Sequence, residues 1–186
     1  MPSSLLVLGG ARSGKSRFAL ESASGSAGVF LATAEAGDAD MARRIERHRR
    51  ERSRAWRTVE EPRQVVSTLR ALVGTAETVV VDCVTLWVGN LQLHGESDER
   101  IFGEAEALVT LMAARPFDLT LVSNEVGEGV HPETAAGLRF RDLLGTVNQR
   151  LAAACDRVVL MVAGVPLTIK DQLGEDALRA GTSQAP

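Results

Sequence analysis

The stretch Gly9-Gly10-Ala11-Arg12-Ser13-Gly14-Lys15-Ser16 follows directly on the apolar run Leu5-Leu6-Val7-Leu8. Its spacing, G-x-x-x-x-G-K-[ST], is that of a phosphate-binding loop. Glycines let successive backbone N–H groups turn inward around phosphate oxygens. In such a loop Lys15 neutralises charge on the outer phosphates, and the Ser16 hydroxyl is a ligand for Mg²⁺. The apolar run before it makes a short buried strand. Lys15–Ser22 carries neither Pro nor Gly to stop a helix, so the loop opens a helix N-terminus. Strand, loop and helix in that order leave little room for a chance glycine-rich turn.

Further apolar runs recur at Val29–Leu31, Thr78–Val81, Leu119–Val122 and Val158–Val162. They are short, largely unalternating and rich in Val and Leu, as expected of strands buried on both faces. Between them lie helical patterns at Lys15–Ala23, Asp38–Arg54, Pro62–Val73, Asp98–Ala114 and Thr134–Ala154. The alternation predicts an α/β fold: a doubly wound, mostly parallel sheet with helices on both faces, of the P-loop NTPase kind. No internal repeat or linker divides the chain. Residues 1–170 are expected to form one nucleotide-binding catalytic domain, and the polar tail 171–186 to be loosely ordered.

Composition narrows the class. The chain has 186 residues, 45% of them hydrophobic, and a formal charge of −3. That is ample to bury a core, and no bulk charge draws it to nucleic acid or anionic membrane. The stretch Val158–Ile169 is far shorter than a membrane span and contains Gly164 and Pro166. The first apolar run is too short for a secretory leader and has no basic residue ahead of it. Cys83 and Cys155 lack metal or redox spacing and read as buried hydrophobes in a reducing cytoplasm.

The residues that end the strands carry the chemistry. Val79-Val80-Val81 ends in Asp82, and Leu119–Val122 ends in Ser123-Asn124-Glu125. In a parallel sheet all strand carboxyl ends lie along one edge, where ligands bind. Asp82 is placed there to hold the shell of the Mg²⁺ bound by Ser16.

Residues 41–57 form an arginine-rich segment with one histidine. Met41, Ile45 and His48 stand at i, i+4 and i+7, so His48 shares the apolar helix face. One reading is a satisfied core histidine on a solvated helix, with Glu46 and Glu51 pairing against arginines. The other is a nucleophile that attacks phosphorus while arginines stabilise the developing charge. The residues alone leave these two open.

The sequence resembles the bifunctional adenosylcobinamide kinase/adenosylcobinamide-phosphate guanylyltransferase family of cobalamin biosynthesis. The resemblance is carried by Gly9–Arg17, Ala32-Thr33, Arg44-Ile45 with His48-Arg49, Trp56-Arg57-Thr58 with Glu60, and Asp82-Cys83 with Thr85, Asn90 and Leu91. It continues through Ser123–Gly129 with Pro132, Phe140-Arg141-Asp142, Gly145, Asn148-Gln149, Leu151-Ala152 and Gly164–Lys170. Leu93–Gly103 and the tail match no motif.

The resemblance implies two reactions: phosphorylation of adenosylcobinamide by ATP or GTP, and transfer of GMP from GTP to the product through a guanylylated histidine, His48. It also implies nucleotide contacts from Gly9, Gly10, Ala11, Arg12, Ser13, Gly14, Lys15 and Ser16, from Ala32, Thr33 and Ala34, and from Arg49, Arg50, Glu51, Arg52, Glu60 and Asp82. Ser16 and Asp82 would hold Mg²⁺. A corrinoid would be the second substrate, in a cytoplasmic homotrimer with no nucleic-acid or membrane partner. Two rivals compete. A kinase transferring only the γ-phosphate would leave His48 as structure, and a nucleotide switch or nucleic-acid-binding module would use the arginine helix, with salt-sensitive polynucleotide affinity.

Overall fold

The computed structural model describes residues 2–23, 28–35 and 56–174. In chain order the elements are β1 (Ser4–Gly9), α1 (Lys15–Ser22), β2 (Gly28–Ala32), β3 (Trp56–Glu60), α2 (Val65–Ala71), β4 (Thr78–Asp82), α3 (Val84–Leu93), α4 (Asp98–Ala113), β5 (Asp118–Val122), α5 (Ala135–Ala154), β6 (Arg157–Val162) and β7 (Val165–Asp171). One seven-stranded sheet has the order β3-β2-β4-β5-β1-β6-β7. Every pairing is parallel except β6–β7, which is an antiparallel hairpin.

The central strands are apolar on both faces because both faces are covered. Leu6, Leu31, Val79, Val81 and Leu121 point to one side, where they pack with residues of α2, α3, α4 and α5. Val7, Phe30, Val80, Val122 and Val159 point to the other, against Ala19 of α1. Burying such side chains stabilises by roughly 1.5–3 kcal/mol each. The predicted α/β architecture is therefore the one observed.

Three elements escaped the sequence reading. β3 is an edge strand of mixed polarity, half-buried to exposed, so no apolar run marks it. α3 is nearly apolar all round and buries Val84, Trp87, Val88 and Leu91; a helix without a polar face shows no amphipathic period. β7 begins at a turn through Ala163 and Gly164 and contains Pro166, which an edge strand tolerates. The helical pattern at Asp38–Arg54 lies outside the described residues.

Helix starts follow local chemistry. The Ser97 hydroxyl accepts from Arg100 N at α4, and the Thr134 hydroxyl accepts from Gly137 N at α5. α1 differs: its cap is Gly14, with φ 93°, and no side chain claims the first N–H groups.

Candidate active site

The loop between β1 and α1 is built as a cradle. Three of its residues hold positive φ: Gly9 at 147°, Arg12 at 57° and Gly14 at 93°. A Cβ on Gly9 would stand 2.5 Å from the Met161 carbonyl oxygen and 2.8 Å from Ser13 Oγ. The space is therefore reserved for backbone alone. Lys15 is only 7% exposed, and its Nζ donates to Gly10 O at 2.6 Å. A buried ammonium needs nearby acceptors, and the loop curls around this one. Ser13 Oγ is buried without a protein hydrogen-bond partner, and a buried polar atom of that kind calls for an explanation. An anion bound at the uncapped N-terminus of α1 would supply it.

The sheet edge aligns the other groups. Ala32 pairs in register with Glu60 on one side and Asp82 on the other, Asp82 pairs with Val122, and Val122 with Val7. β5 lies between β1 and β4, so the phosphate loop and Asp82 are two strands apart, about 10 Å. Ser123 and Asn124, which follow β5, fall in that interval.

A polar network braces this region. Thr85 Oγ1 accepts from Asn124 N at 2.7 Å, Ser123 Oγ donates to Asn148 Oδ1 at 2.7 Å, and Asn148 Nδ2 donates to Asn124 O at 3.1 Å. Glu125 N reaches back to Gly9 O at 3.2 Å. The main chain of Asn124 is thereby held at both its N–H and its carbonyl, while its side chain and that of Glu125 are half-buried.

Cys83, the N-cap of α3, records the local electrostatics. Its thiol is pushed up to about 11, by burial first and by the charge of Asp82 next. The Leu86 N–H, the Thr85 hydroxyl and the positive charge of Lys15 oppose the rise. Asp82 and Lys15 therefore act on the same buried point from opposite signs. Both cysteines are buried and unbridged, and burial pushes Cys155 up to about 12. Neither is a ready nucleophile.

These donors fit Mg²⁺. Magnesium takes oxygen ligands, usually one or two carboxylates or hydroxyls with phosphate and water for the rest. Ser16 in the first turn of α1 and Asp82 at the end of β4 supply oxygens of that kind, both half-buried.

Thr33 occupies a different setting from the nucleotide contact expected of it. It is fully buried, and its hydroxyl exchanges hydrogen bonds with the backbone of Cys83. Ala32 is buried at the end of β2, and Ala34 and Glu60 are more exposed along the same edge. His48, Arg49, Arg50, Glu51 and Arg52 lie outside the described residues. His94 sits 3.3 Å from Glu35, and His131 is exposed beside Pro132. Asn148 braces this turn, joining the Ser123 hydroxyl to the Asn124 carbonyl. The hydroxyls of Thr85 and Ser123 were missed as a pair, since only the juxtaposition of β5 with α3 brings them together.

A family model described as cobinamide kinase / cobinamide phosphate guanyltransferase matches residues 5–169. The bifunctional adenosylcobalamin biosynthesis protein CobP of Pseudomonas aeruginosa is 45% identical over 169 residues, covering 90% of this chain and 97% of its own. The CobU proteins of Escherichia coli and Salmonella typhimurium are 40% and 41% identical, each covered over 99% of its length and covering 89% of this chain. With a complete phosphate loop, a carboxylate on the same sheet edge and relatives matched almost end to end, the chain belongs to the cobinamide kinase / cobinamide phosphate guanyltransferase family.

Proposed function

We propose that this chain is a cytoplasmic enzyme that phosphorylates adenosylcobinamide with ATP or GTP and then guanylylates the product with GTP, giving adenosylcobinamide-GDP. The observation that carries this reading is the phosphate cradle itself: a buried Lys15, an orphaned Ser13 hydroxyl and an uncapped α1 on the edge that also holds Asp82.

In the first reaction the substrate hydroxyl oxygen bonds to the γ-phosphorus, and the bond to the β–γ bridging oxygen breaks. Nucleoside diphosphate leaves and the hydroxyl proton is lost. The loop N–H groups and Lys15 stabilise charge on the transferring oxygens. In the second, neutral His48 attacks the α-phosphorus of GTP and pyrophosphate leaves. A phosphate oxygen of the corrinoid then attacks the same phosphorus and the P–N bond breaks, returning the imidazole. Mg²⁺, held by Ser16 and Asp82 when bound with nucleotide, neutralises phosphate charge. Ala32, Ala34, Arg49, Arg50, Glu51, Arg52 and Glu60 are assigned to nucleotide contacts. The family's implied homotrimer finds support in an exposed apolar strip on β7, formed by Val165, Leu167 and Ile169.

The test is label transfer from GTP carrying label at the α-phosphorus, with His48→Ala alongside. Acid-labile, alkali-stable protein label, lost in the variant, supports the histidine intermediate. A folded, GTP-binding protein that takes up no label overturns it and leaves a kinase alone. Protonating His48 removes its attacking lone pair, so labelling should fall as pH drops through the histidine range.

A further inference from the structure

Thr33 has an unusual economy of contacts: every one of its polar atoms is engaged by protein. Its N–H donates to Asp82 O at 3.1 Å. Its hydroxyl accepts from Cys83 N at 2.7 Å and donates to Cys83 O at 2.7 Å. Its carbonyl accepts from Asn90 Nδ2 at 2.8 Å, and the same amide reaches Pro62 O at 3.0 Å. The residue is fully buried. Such an arrangement is ill-suited to gripping a nucleotide and well suited to fixing a neighbour.

That neighbour is Asp82. The β2–β4 ladder ends at the pair Ala32 and Asp82, so the strand backbone holds Asp82 only up to that point. Beyond it Thr33 takes over, with one bond to the Asp82 carbonyl and two to the residue that follows. The direction of a Cα–Cβ bond is fixed by the backbone atoms on either side of it. Pinning the Asp82 carbonyl and both polar atoms of Cys83 therefore sets the direction in which the Asp82 side chain leaves the strand. Asn90 closes the brace by tying the Thr33 carbonyl to α3 and to the chain after β3.

We propose that Thr33 is a positioning residue: its hydroxyl sets the Asp82 carboxylate toward the Mg²⁺ that accompanies nucleotide. The proposal rests on the nucleotide-binding reading above and reassigns Thr33 within it, from nucleotide contact to support for the metal-facing carboxylate. Outer-sphere supports of this kind commonly govern metal affinity by roughly 10–100-fold when removed.

The experiment is a double-mutant cycle read by binding. The full chain, Thr33→Val, Thr33→Ser, Asp82→Asn and the Thr33→Val/Asp82→Asn pair are titrated with a fluorescent GTP analogue, in EDTA and in Mg²⁺. Thr33→Val should bind the analogue in EDTA as the parent does, and should lose roughly tenfold or more of the gain that Mg²⁺ brings. Thr33→Ser should keep that gain. The pair should behave like Asp82→Asn alone, because Thr33 acts through Asp82. Weakened binding of Thr33→Val in EDTA would make Thr33 a nucleotide contact and overturn the proposal. Additive losses in the pair, or an undiminished Mg²⁺ gain in Thr33→Val, would overturn it as well. Thr33→Cys, which like Thr33→Ser lacks the methyl but weakens both hydroxyl bonds, carries the same cycle against Thr33→Ser if Thr33→Val does not fold. A parent chain that shows no GTP binding, or no Mg²⁺ gain, would sink the underlying functional reading; a normal parent beside an unaffected Thr33→Val sinks only the role of Thr33.

Discussion

The Gly164 N–H donates to the Ser13 carbonyl at 3.0 Å, tying the β6–β7 turn to the phosphate loop. Ala163 and Gly164 both hold positive φ, 51° and 86°, as a two-residue hairpin turn of this hand requires. An ideal Cβ on Gly14 would sit 3.5 Å from Gly164 Cα. The antiparallel hairpin is thus a wall of the loop as well as the end of the sheet. Gly164→Ala keeps the N–H but strains the left-handed turn by about 1–2 kcal/mol. We expect the melting temperature to fall by several degrees and GTP affinity to weaken with it. Calorimetry and a GTP titration measure both, and unchanged affinity would reduce the hairpin to a sheet terminus.

Gly9 tests the loop more directly. A methyl there would meet backbone, Met161 O at 2.5 Å, and no rotamer change can move a carbonyl aside. Gly9→Ala should cost about 1–3 kcal/mol by overpacking. It should also displace the Ser13 hydroxyl, with GTP affinity lost by more than the stability change predicts. Equal binding by parent and variant would show that the loop has slack the geometry does not suggest.

The parts legible in the sequence are those with a local signature. Leu5–Leu8 followed by Gly9–Ser16 announces strand, cradle and helix, because each depends on its own few residues. Asp82 could be placed because a parallel sheet puts all strand ends on one edge. What could not be read is relational. Nothing near Thr33 in sequence says that its hydroxyl meets Cys83, fifty positions on, or that Ser123 Oγ meets Asn148. β7 was hidden by Gly164 and Pro166, which signal a turn unless one knows that an edge strand accepts them. Conversely, α3 was invisible because its largely apolar composition shows little helical period.

Asn148 offers a test of the brace under Asn124. It is 6% exposed, and its amide joins Ser123 Oγ and Asn124 O. Asn148→Leu keeps the branched outline of the side chain, in slightly larger form, and removes both bonds. Leaving a buried hydroxyl and carbonyl short of partners should cost about 1–3 kcal/mol. If the Asn124–Glu125 turn belongs to the site, turnover should drop further than stability accounts for. Steady-state kinetics at a temperature where the variant stays folded separates the two.

Acid should loosen the opposite edge of the sheet. Asp156 is buried; burial acts most strongly on it and upward, but bonds from Arg115 and from the Ser4 hydroxyl and N–H outweigh that and hold its carboxyl below the ordinary 3.8. A depressed carboxyl contributes stability above its unfolded value and loses it as pH falls through the folded one. Asp156→Asn should therefore cost about 2 kcal/mol at neutral pH, the scale of a hydrogen bond to a charged group. The gap from the parent should narrow below pH 3.8. A constant gap across that range would mean that packing, not charge, is what Asp156 supplies.

The last prediction concerns β7, whose outer edge carries no strand partner among the described residues. Val165, Leu167 and Ile169 are 65%, 55% and 59% exposed, with Val162 of β6 beside them at 55%. Exposed apolar edges invite association, and natural chains blunt them with charge, proline or a covering partner. Pro166 lies within this one, but Lys170 is turned away to the α5 carbonyls of Ala152 and Ala153. A closed ring of three copies would cover the strip by setting it against a different surface of the next copy, the head-to-tail contact that rings use. Leu167→Glu with Ile169→Glu should then convert the assembly to monomer, read by light scattering on a sizing column. Because both side chains are exposed, the monomer itself should melt within about 1 kcal/mol of its expected stability. A variant that stays trimeric would move the interface elsewhere. A parent that is monomeric from the start would leave β7 to another partner.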